Sequence, residues 1–410
     1  MIVRARTVVT MDGPPIDNGA VVVREHQILD VGRFDEIKKD NAGEIVDLGE
    51  QALLPGLINA HCHLDYSCLR GKIPPQKSFA DWIRAINAEK AKLSTQDYVC
   101  SINEGFAEAK RFGTTGIANL TAFPDFVLQT DTPIRTWWFA ELIDVRAPER
   151  ANEIVDRAIE SLGRARPPGA PWGLAPHALF TASAELYRHC EQVAQQNNVL
   201  LTTHLAESRE EMEMFHDASG PLYDFLKSIG RPMNDCGNET PLKHFLIVRD
   251  SSAALRSARN DNDWLVAHLN ELMDSDFELL ERSKPRFHVV HSPRSHDYFK
   301  HSQFPFERLR SLAFKVCLGT DSLASNENLS LFAEMRAFQK EFPGVSPEEI
   351  LKMVTINPAT ALHQKNMIAR IKPGFCADLI AVPCGEHDSP FEQIVEFDRS
   401  IDWVMVNGKM

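Results

Sequence analysis

The chain has eight cysteines, yet none forms a Cys-x-x-Cys pair. Neither a thiolate zinc site nor a secreted disulfide framework is therefore expected, and a reducing cytoplasm fits. An excess of positive charge is also missing: 44 Lys and Arg stand against 57 Asp and Glu, a net charge of -13. That balance argues against nucleic-acid backbones and anionic membrane surfaces, and leaves a small molecule as the expected partner. Residues 1–20, MIVRARTVVTMDGPPIDNGA, lack the apolar core of a signal peptide, and no later stretch approaches the length of a membrane span. A soluble chain is expected. Its length of 410 residues could hold two or three domains, or one α/β barrel with a small appendage, and whether copies associate is open.

What is present is ordered. Residues 1–53 read as short alternating strands, IVRARTVVT, GAVVVREHQILDVG and EIVDLGEQALLP, split by the turn-rich stretches MDGPPIDN and KKDNAG. Residues 366–410 resume that style with ADLIAVP and DWVMVNGK, so the two ends are expected to complete one small β-sandwich domain. Between them, over residues 54–365, eight apolar segments each stop at polar or ionisable residues: LPGLINAHCH, GTTGIANL, RTWWFAEL, WGLAPHAL, VLLTTHLAE, WLVAHLNEL, FHVVHSP and VCLGTDS. Stretches with apolar residues three and four apart separate most of them, for example ANEIVDRAIESLGRA and SAELYRHCEQVAQQ. Strand then helix, eight times, predicts a (β/α)8 barrel of the TIM type, an α/β fold.

In such a barrel the catalytic groups sit where strands end. His61 and His63 close the first segment, His177 the fourth, His204 the fifth, His268 the sixth, His291 the seventh and Asp321 the eighth. On a strand His61 and His63 project the same way while Cys62 points away. Zinc or ferrous iron needs imidazole nitrogens and a carboxylate, with one position open for water, and His61, His63, His204 and Asp321 can supply them. Glu207 stands three residues beyond His204, placed to exchange protons with a substrate over the metal without being a ligand. For His177 and His291 a structural hydrogen bond at the barrel rim and a substrate contact remain equal alternatives. The acidic run ESREEMEMF reads as a helix with a solvated face.

The ordered motifs LPGLINAHCHLD, APHALFTAS, THLAES, VAHLNEL, HSPRSH and LGTDSLASN resemble the signatures of the amidohydrolase superfamily, and within it the deaminase branch. The resemblance covers nearly the whole chain, including the terminal NPATAL helix and IKPGFCADLIAV. It implies one divalent metal per chain, zinc first and iron second, held by His61, His63, His204 and Asp321, with Glu207 and His268 assisting. Relatives with two metals carry a carboxylated lysine at the fourth strand end, and WGLAPHAL has none. The expected chemistry is attack of metal-activated hydroxide on an amino-bearing ring carbon. Glu207 protonates the ring nitrogen, Asp321 relays a proton to the departing amine, and His268 orients the nucleophile or stabilises charge on its oxygen. The unrelated deaminases with His-x-Glu and Pro-Cys-x-x-Cys are excluded, because the second motif is missing.

HLDYS, the F-x-x-W of KSFADWI, PRSH and TDSLASN look most like aminofutalosine deaminases and their methylthioadenosine and adenosylhomocysteine neighbours, which act on the adenine 6-amino group of modified nucleosides. By that resemblance Trp82 lies near the bound base, its broad apolar face suiting a heterocycle. Glu89 is the nearest match to a ribose-holding acid, and His296 stands where many relatives have Asn. The segment 220–246 between His204 and His268 is expected to cover the mouth. The same groups could also cleave an amide, a guanidine or a halogenated triazine, and a non-catalytic binding protein should have lost a ligand or Glu207, which this chain has not.

Overall fold

The computed structural model describes residues 1–165, 170–250, 264–386 and 389–410. The chain opens with β1 (Ile2–Val8), β2 (Ile16–Arg24), β3 (Gln27–Arg33), β4 (Ile45–Asp47) and β5 (Gln51–Pro55). Next come β6 (Leu57–Cys62), β7 (Thr114–Thr121), β8 (Arg135–Leu142), β9 (Trp172–Pro176), β10 (Leu200–Leu205), β11 (Trp264–His268), β12 (Phe287–His291) and β13 (Val316–Leu318). It closes with β14 (Leu379–Pro383) and β15 (Trp403–Met405).

Both chain ends join one seven-stranded mixed sheet, ordered β15-β14-β5-β1-β2-β3, with β4 also on β1. One edge of β1 pairs first with β4 and then with β5, so the sheet divides there. Val3, Val21, Ile28, Leu53, Leu379 and Met405 fill its core. Asp378, just before β14, ties this unit to the barrel by pairing with Arg135 of β8 (2.5 Å).

β6 to β13 form the expected parallel barrel, each strand beside its chain neighbour. Their continuous apolar runs suit strands buried on both faces. The ring closes where Cys62 bridges Asp321 and the Thr320 and Asp321 amides donate to the His61 carbonyl (3.1 and 3.2 Å). Gly319 makes that approach possible, since a Cβ there would lie 2.7 Å from the His61 oxygen. No described helix is long and apolar enough to cross a membrane.

Side-chain parity sets which strand residues point into the barrel and which pack outward. Ile58, Ala60, Ala118, Leu120, Trp137, Phe139, Ala175, Leu200, Leu265, Val290 and Cys317 form the inner core, while their alternates pack outward against the helices. Strict alternation from Ile58 and Ala60 would send Cys62 inward and both adjacent histidines outward. Between Asn59 and Cys62, however, β6 carries one residue more than β7, Asn59 facing Ile117 and Cys62 facing Asn119. This bulge shifts the phase, as bulges beside active sites do, and Cys62 joins the outer core.

Candidate metal centre

Three strand ends, those of β6, β10 and β11, bring four imidazoles together, and the end of β13 adds Asp321. The ring centroid of His61 lies 4.9 Å from those of His63 and His204 and 5.8 Å from that of His268. His63 Nε2 and His204 Nε2 are 3.1 Å apart. His61 Nε2 and His63 Nε2 stand 3.7 and 3.8 Å from Asp321 Oδ1. Among the described residues, His61, His63 and Asp321 form one group whose donor atoms could share an ion, and His61, His204 and His268 form another.

The donor set fits a divalent cation. Both ring nitrogens of His61, and Nε2 of His268, are buried without a hydrogen-bond partner, a cost that coordination would remove. The His177 carbonyl accepts from His204 Nδ1 (2.8 Å), which leaves the lone pair of His204 on Nε2, facing the cluster. Burial lowers the pKa of His63, His177 and His268 well below the ordinary imidazole range and brings that of His204 to about 4. The rings are thus neutral near pH 7, the form a metal requires. Burial pushes Asp321 up, but the neighbouring imidazoles, His61 foremost, outweigh it and hold the carboxyl well below its usual range.

Backbone conformation completes the aim. Ala206, His268, Leu269 and Asp321 all have positive φ, at 49°, 76°, 55° and 56°. Each such non-glycine residue costs about 1–3 kcal/mol, and such residues concentrate at functional sites. Amides of Leu269 and Asn270 donate to the carbonyls of Leu205 and Ala206 (both 2.9 Å), pinning the two strand ends together.

Glu207 stands beside the cluster, its Oε1 3.7 Å from His268 Nε2. Burial, then the charges of Asp321 and Glu211, raise its pKa well above the ordinary carboxyl range. The acidic run that follows is helical, Arg209–Asp217, as expected, but its face is not simply solvated. Glu211 is fully buried and accepts the amides of Ala206 and Glu207 (3.2 and 2.8 Å), while Glu210 accepts those of Phe79 and Ala80 (2.6 and 3.0 Å). Charge patterning misled because these carboxylates find backbone donors of other segments, which only the fold reveals.

The other candidates divide. His177 joins the cluster: its ring is 4.7 Å from that of His204, and its Nδ1 pairs with Thr181 Oγ1 (2.6 Å). His291 stays apart, fully buried and stacked 3.8 Å from Phe304. Trp82 stacks on Phe79 (6.0 Å) and meets Phe299 edge-on (4.9 Å), linking helix Phe79–Lys90 to helix Pro293–Phe299. Glu89 pairs with Lys92 (2.6 Å). His296 lines a cavity of about 960 Å³ with Arg70, Arg294, His301 and Ser325. That cavity borders the cluster through Ser325, whose Oγ donates to Asp321 Oδ2 (3.3 Å). In segment 220–246, Arg231 donates to the Leu179 and Phe180 carbonyls (both 3.0 Å), just beyond His177.

Sequence reading missed Ser295, which donates to Asp321 Oδ2 (2.7 Å), and Glu141, at the end of β8, whose Oε1 lies 3.5 Å from His63 Nδ1. Glu141 was reachable, since RTWWFAEL also ends at an ionisable residue.

The amidohydrolase family model matches residues 52–410, and the chain belongs to that family of hydrolases. Among similar proteins, a 5-methylthioadenosine/S-adenosylhomocysteine deaminase of Syntrophobacter fumaroxidans is 30% identical over 390 residues, 90% of this chain and 81% of its own. A 5'-deoxyadenosine deaminase of Methanococcus maripaludis is 26% identical, over 92% of this chain and 86% of its own. Helicobacter pylori aminofutalosine deaminase in complex with methylthio-coformycin superposes with a TM-score of 0.86 at 20% identity, covering 100% of this chain and 99% of that one. An adenosine deaminase from Xanthomonas campestris with bound zinc gives 0.80 at 22% identity, covering 100% and 92%.

Proposed function

We propose that this chain is a metal-dependent deaminase that releases ammonia from the adenine 6-amino group of a nucleoside with a modified ribose, aminofutalosine foremost. The observation that carries the reading is the convergence of three imidazoles and Asp321 beside a buried Glu207 whose pKa burial raises. The adenosine-type deaminases among its relatives favour the substrate class. The ligands are His61, His63, His204 and Asp321, holding one ion; zinc is favoured by chemistry, since neutral imidazoles with one carboxylate suit it.

A divalent ion bound there supplies Lewis-acid activation of water near neutral pH. Glu207, kept protonated by burial, delivers its proton to the ring nitrogen next to the amino-bearing carbon and makes that carbon electrophilic. Asp321 accepts one proton from the attacking water and passes it to the departing amine, with Ser295 and Ser325 holding the carboxylate in place, and the other water proton returns to Glu207 as the carbon–nitrogen bond breaks and the 6-oxo group forms. His268, swung to the mouth by its left-handed backbone, stabilises the charge that develops on oxygen. His177 and Trp82 contact the heterocycle.

The test is a product screen of the zinc-loaded protein across adenine nucleosides with altered 5'-groups, guanine, cytosine and amino- or chlorotriazines. Ammonia with an equimolar 6-oxopurine nucleoside is expected. Chloride release, or ammonia from a pyrimidine, guanine or triazine alone, would replace this reading with another amidohydrolase activity.

A further inference from the structure

Glu141 has no part in the proposed chemistry, yet its carboxylate is enclosed by the barrel mouth. Trp137 and Phe139 of β8 point into the inner core, so alternation carries Glu141 inward at the mouth. Its side chain is 5% exposed, and its Oε1 is buried with no hydrogen-bond partner. A donor nearby is His63 Nδ1 at 3.5 Å, on a ring that is itself 7% exposed; the Lys90 ammonium also attracts the carboxylate, without outweighing the burial that raises its pKa. The other nitrogen of that ring, Nε2, faces His204 and Asp321.

We propose that Glu141 is the positioning residue for His63: its carboxylate takes the Nδ1 proton as a hydrogen bond, which fixes the tautomer and leaves the Nε2 lone pair for the metal. The inference rests on the reading of His63 as a ligand. His204 is already held in this way, its Nδ1 donating to the His177 carbonyl, and Glu141 does for His63 what that carbonyl does for His204. Tyr66 steadies the same ring by stacking on it at 5.9 Å and 20°. Ligating histidines generally have such outer partners, and losing one typically costs 10–100-fold in metal affinity.

A competing use of Glu141 is as a ligand itself, because its carboxylate, His177 and His204 could also group around an ion. That group is poorer. His204 has one free nitrogen, already turned toward His63, and His177 Nδ1 is engaged by Thr181. A second ion would have to share the lone pair of His204, whereas the bond to His63 satisfies Glu141 without taking any ligand from the first.

The experiment compares wild type, Glu141→Gln and Glu141→Leu, measuring zinc affinity by chelator competition and the downfield Nδ1 proton of His63 by NMR. That resonance is identified by its disappearance in His63→Ala. The expected result is an affinity loss of about tenfold for Gln and toward 100-fold for Leu, with the His63 resonance displaced and one zinc bound per wild-type chain. Unchanged affinity, or a loss that leaves the resonance in place, would overturn the proposal, as would a second zinc that disappears in Glu141→Gln. Glu141→Gln keeps the shape of the side chain, so its result stands even where the Leu variant fails to fold. Neither readout depends on the reaction: absence of deaminase activity would defeat the proposed function and leave this inference intact.

Discussion

His268 and His291 end consecutive barrel strands, both are buried, and by alternation both belong to the outer face: Trp264 and Val266 precede one, Phe287 and Val289 the other, all four in the outer core. Their environments nevertheless diverge. His268 has φ of 76°, and the left-handed turn swings its ring to within 5.4 Å of His204 and its Nε2 to 3.7 Å from Glu207. His291 has no such turn, and it stays outside, stacked on Phe304 and edge-on to Phe338 (6.3 Å). A strand end therefore offers a place at the mouth, and the backbone conformation decides whether the side chain takes it.

The strongest way to probe this contrast is to remove residues that the mouth has recruited. If Asp321 is ligand and proton acceptor together, as proposed, Asp321→Asn should lower turnover beyond the roughly 10²–10⁴-fold that losing acid–base help alone costs, with zinc per chain dropping as well. His63→Ala should lose the ion. Elemental analysis beside ammonia release measures both, and unchanged zinc in His63→Ala would remove that residue from the ligand set.

A smaller effect is expected from the pair itself. His268→Phe should lower turnover by about 10²–10³-fold, as when a group stabilising a developing oxyanion is deleted, while His291→Phe, which keeps an aromatic ring against Phe304, should leave turnover near wild type. Equal losses in the two variants would break the distinction between recruited and packed histidines. The smallest change belongs to Trp82→Ala. Aromatic contacts of this kind are worth about 0.5–1.5 kcal/mol, so KM should rise some two- to tenfold while kcat holds, as for binding shared by ground and transition states. A collapse of kcat alone would move Trp82 into the chemistry.

Much of the site was legible in the sequence because a parallel barrel is a repetitive object: eight apolar runs end at eight points, and polar residues at those points share one mouth. That logic found His61, His63, His204, His268, Asp321 and Glu207 together. It could not find the β6 bulge, because an extra residue is extra only relative to the neighbouring strand. Nor could it find the left-handed turn at His268, since nothing in VAHLNEL demands one and its cost is met by cross-strand hydrogen bonds from Leu269 and Asn270. For His291 the same rule left two alternatives, and the packing of Phe304, 13 positions further along the chain, was not visible from FHVVHSP. Glu210 and Glu211 were misread for the opposite reason, since their partners are backbone amides, which carry no residue identity.

The most direct test is Glu207→Gln, assayed with its zinc in place. The variant keeps shape and removes the exchangeable proton, so metal per chain should match wild type while ammonia release from the preferred adenine nucleoside falls by about 10⁴-fold, the upper end for acid–base catalysis. The wild-type rate should also decline as pH rises past the raised pKa of Glu207, because the carboxyl delivers its proton only while protonated, and that alkaline limb should be absent from the residual activity of the variant. A zinc-replete Glu207→Gln enzyme that retains most of its turnover, with the alkaline limb unchanged, would contradict the account and point to hydrolysis that needs only metal-activated water.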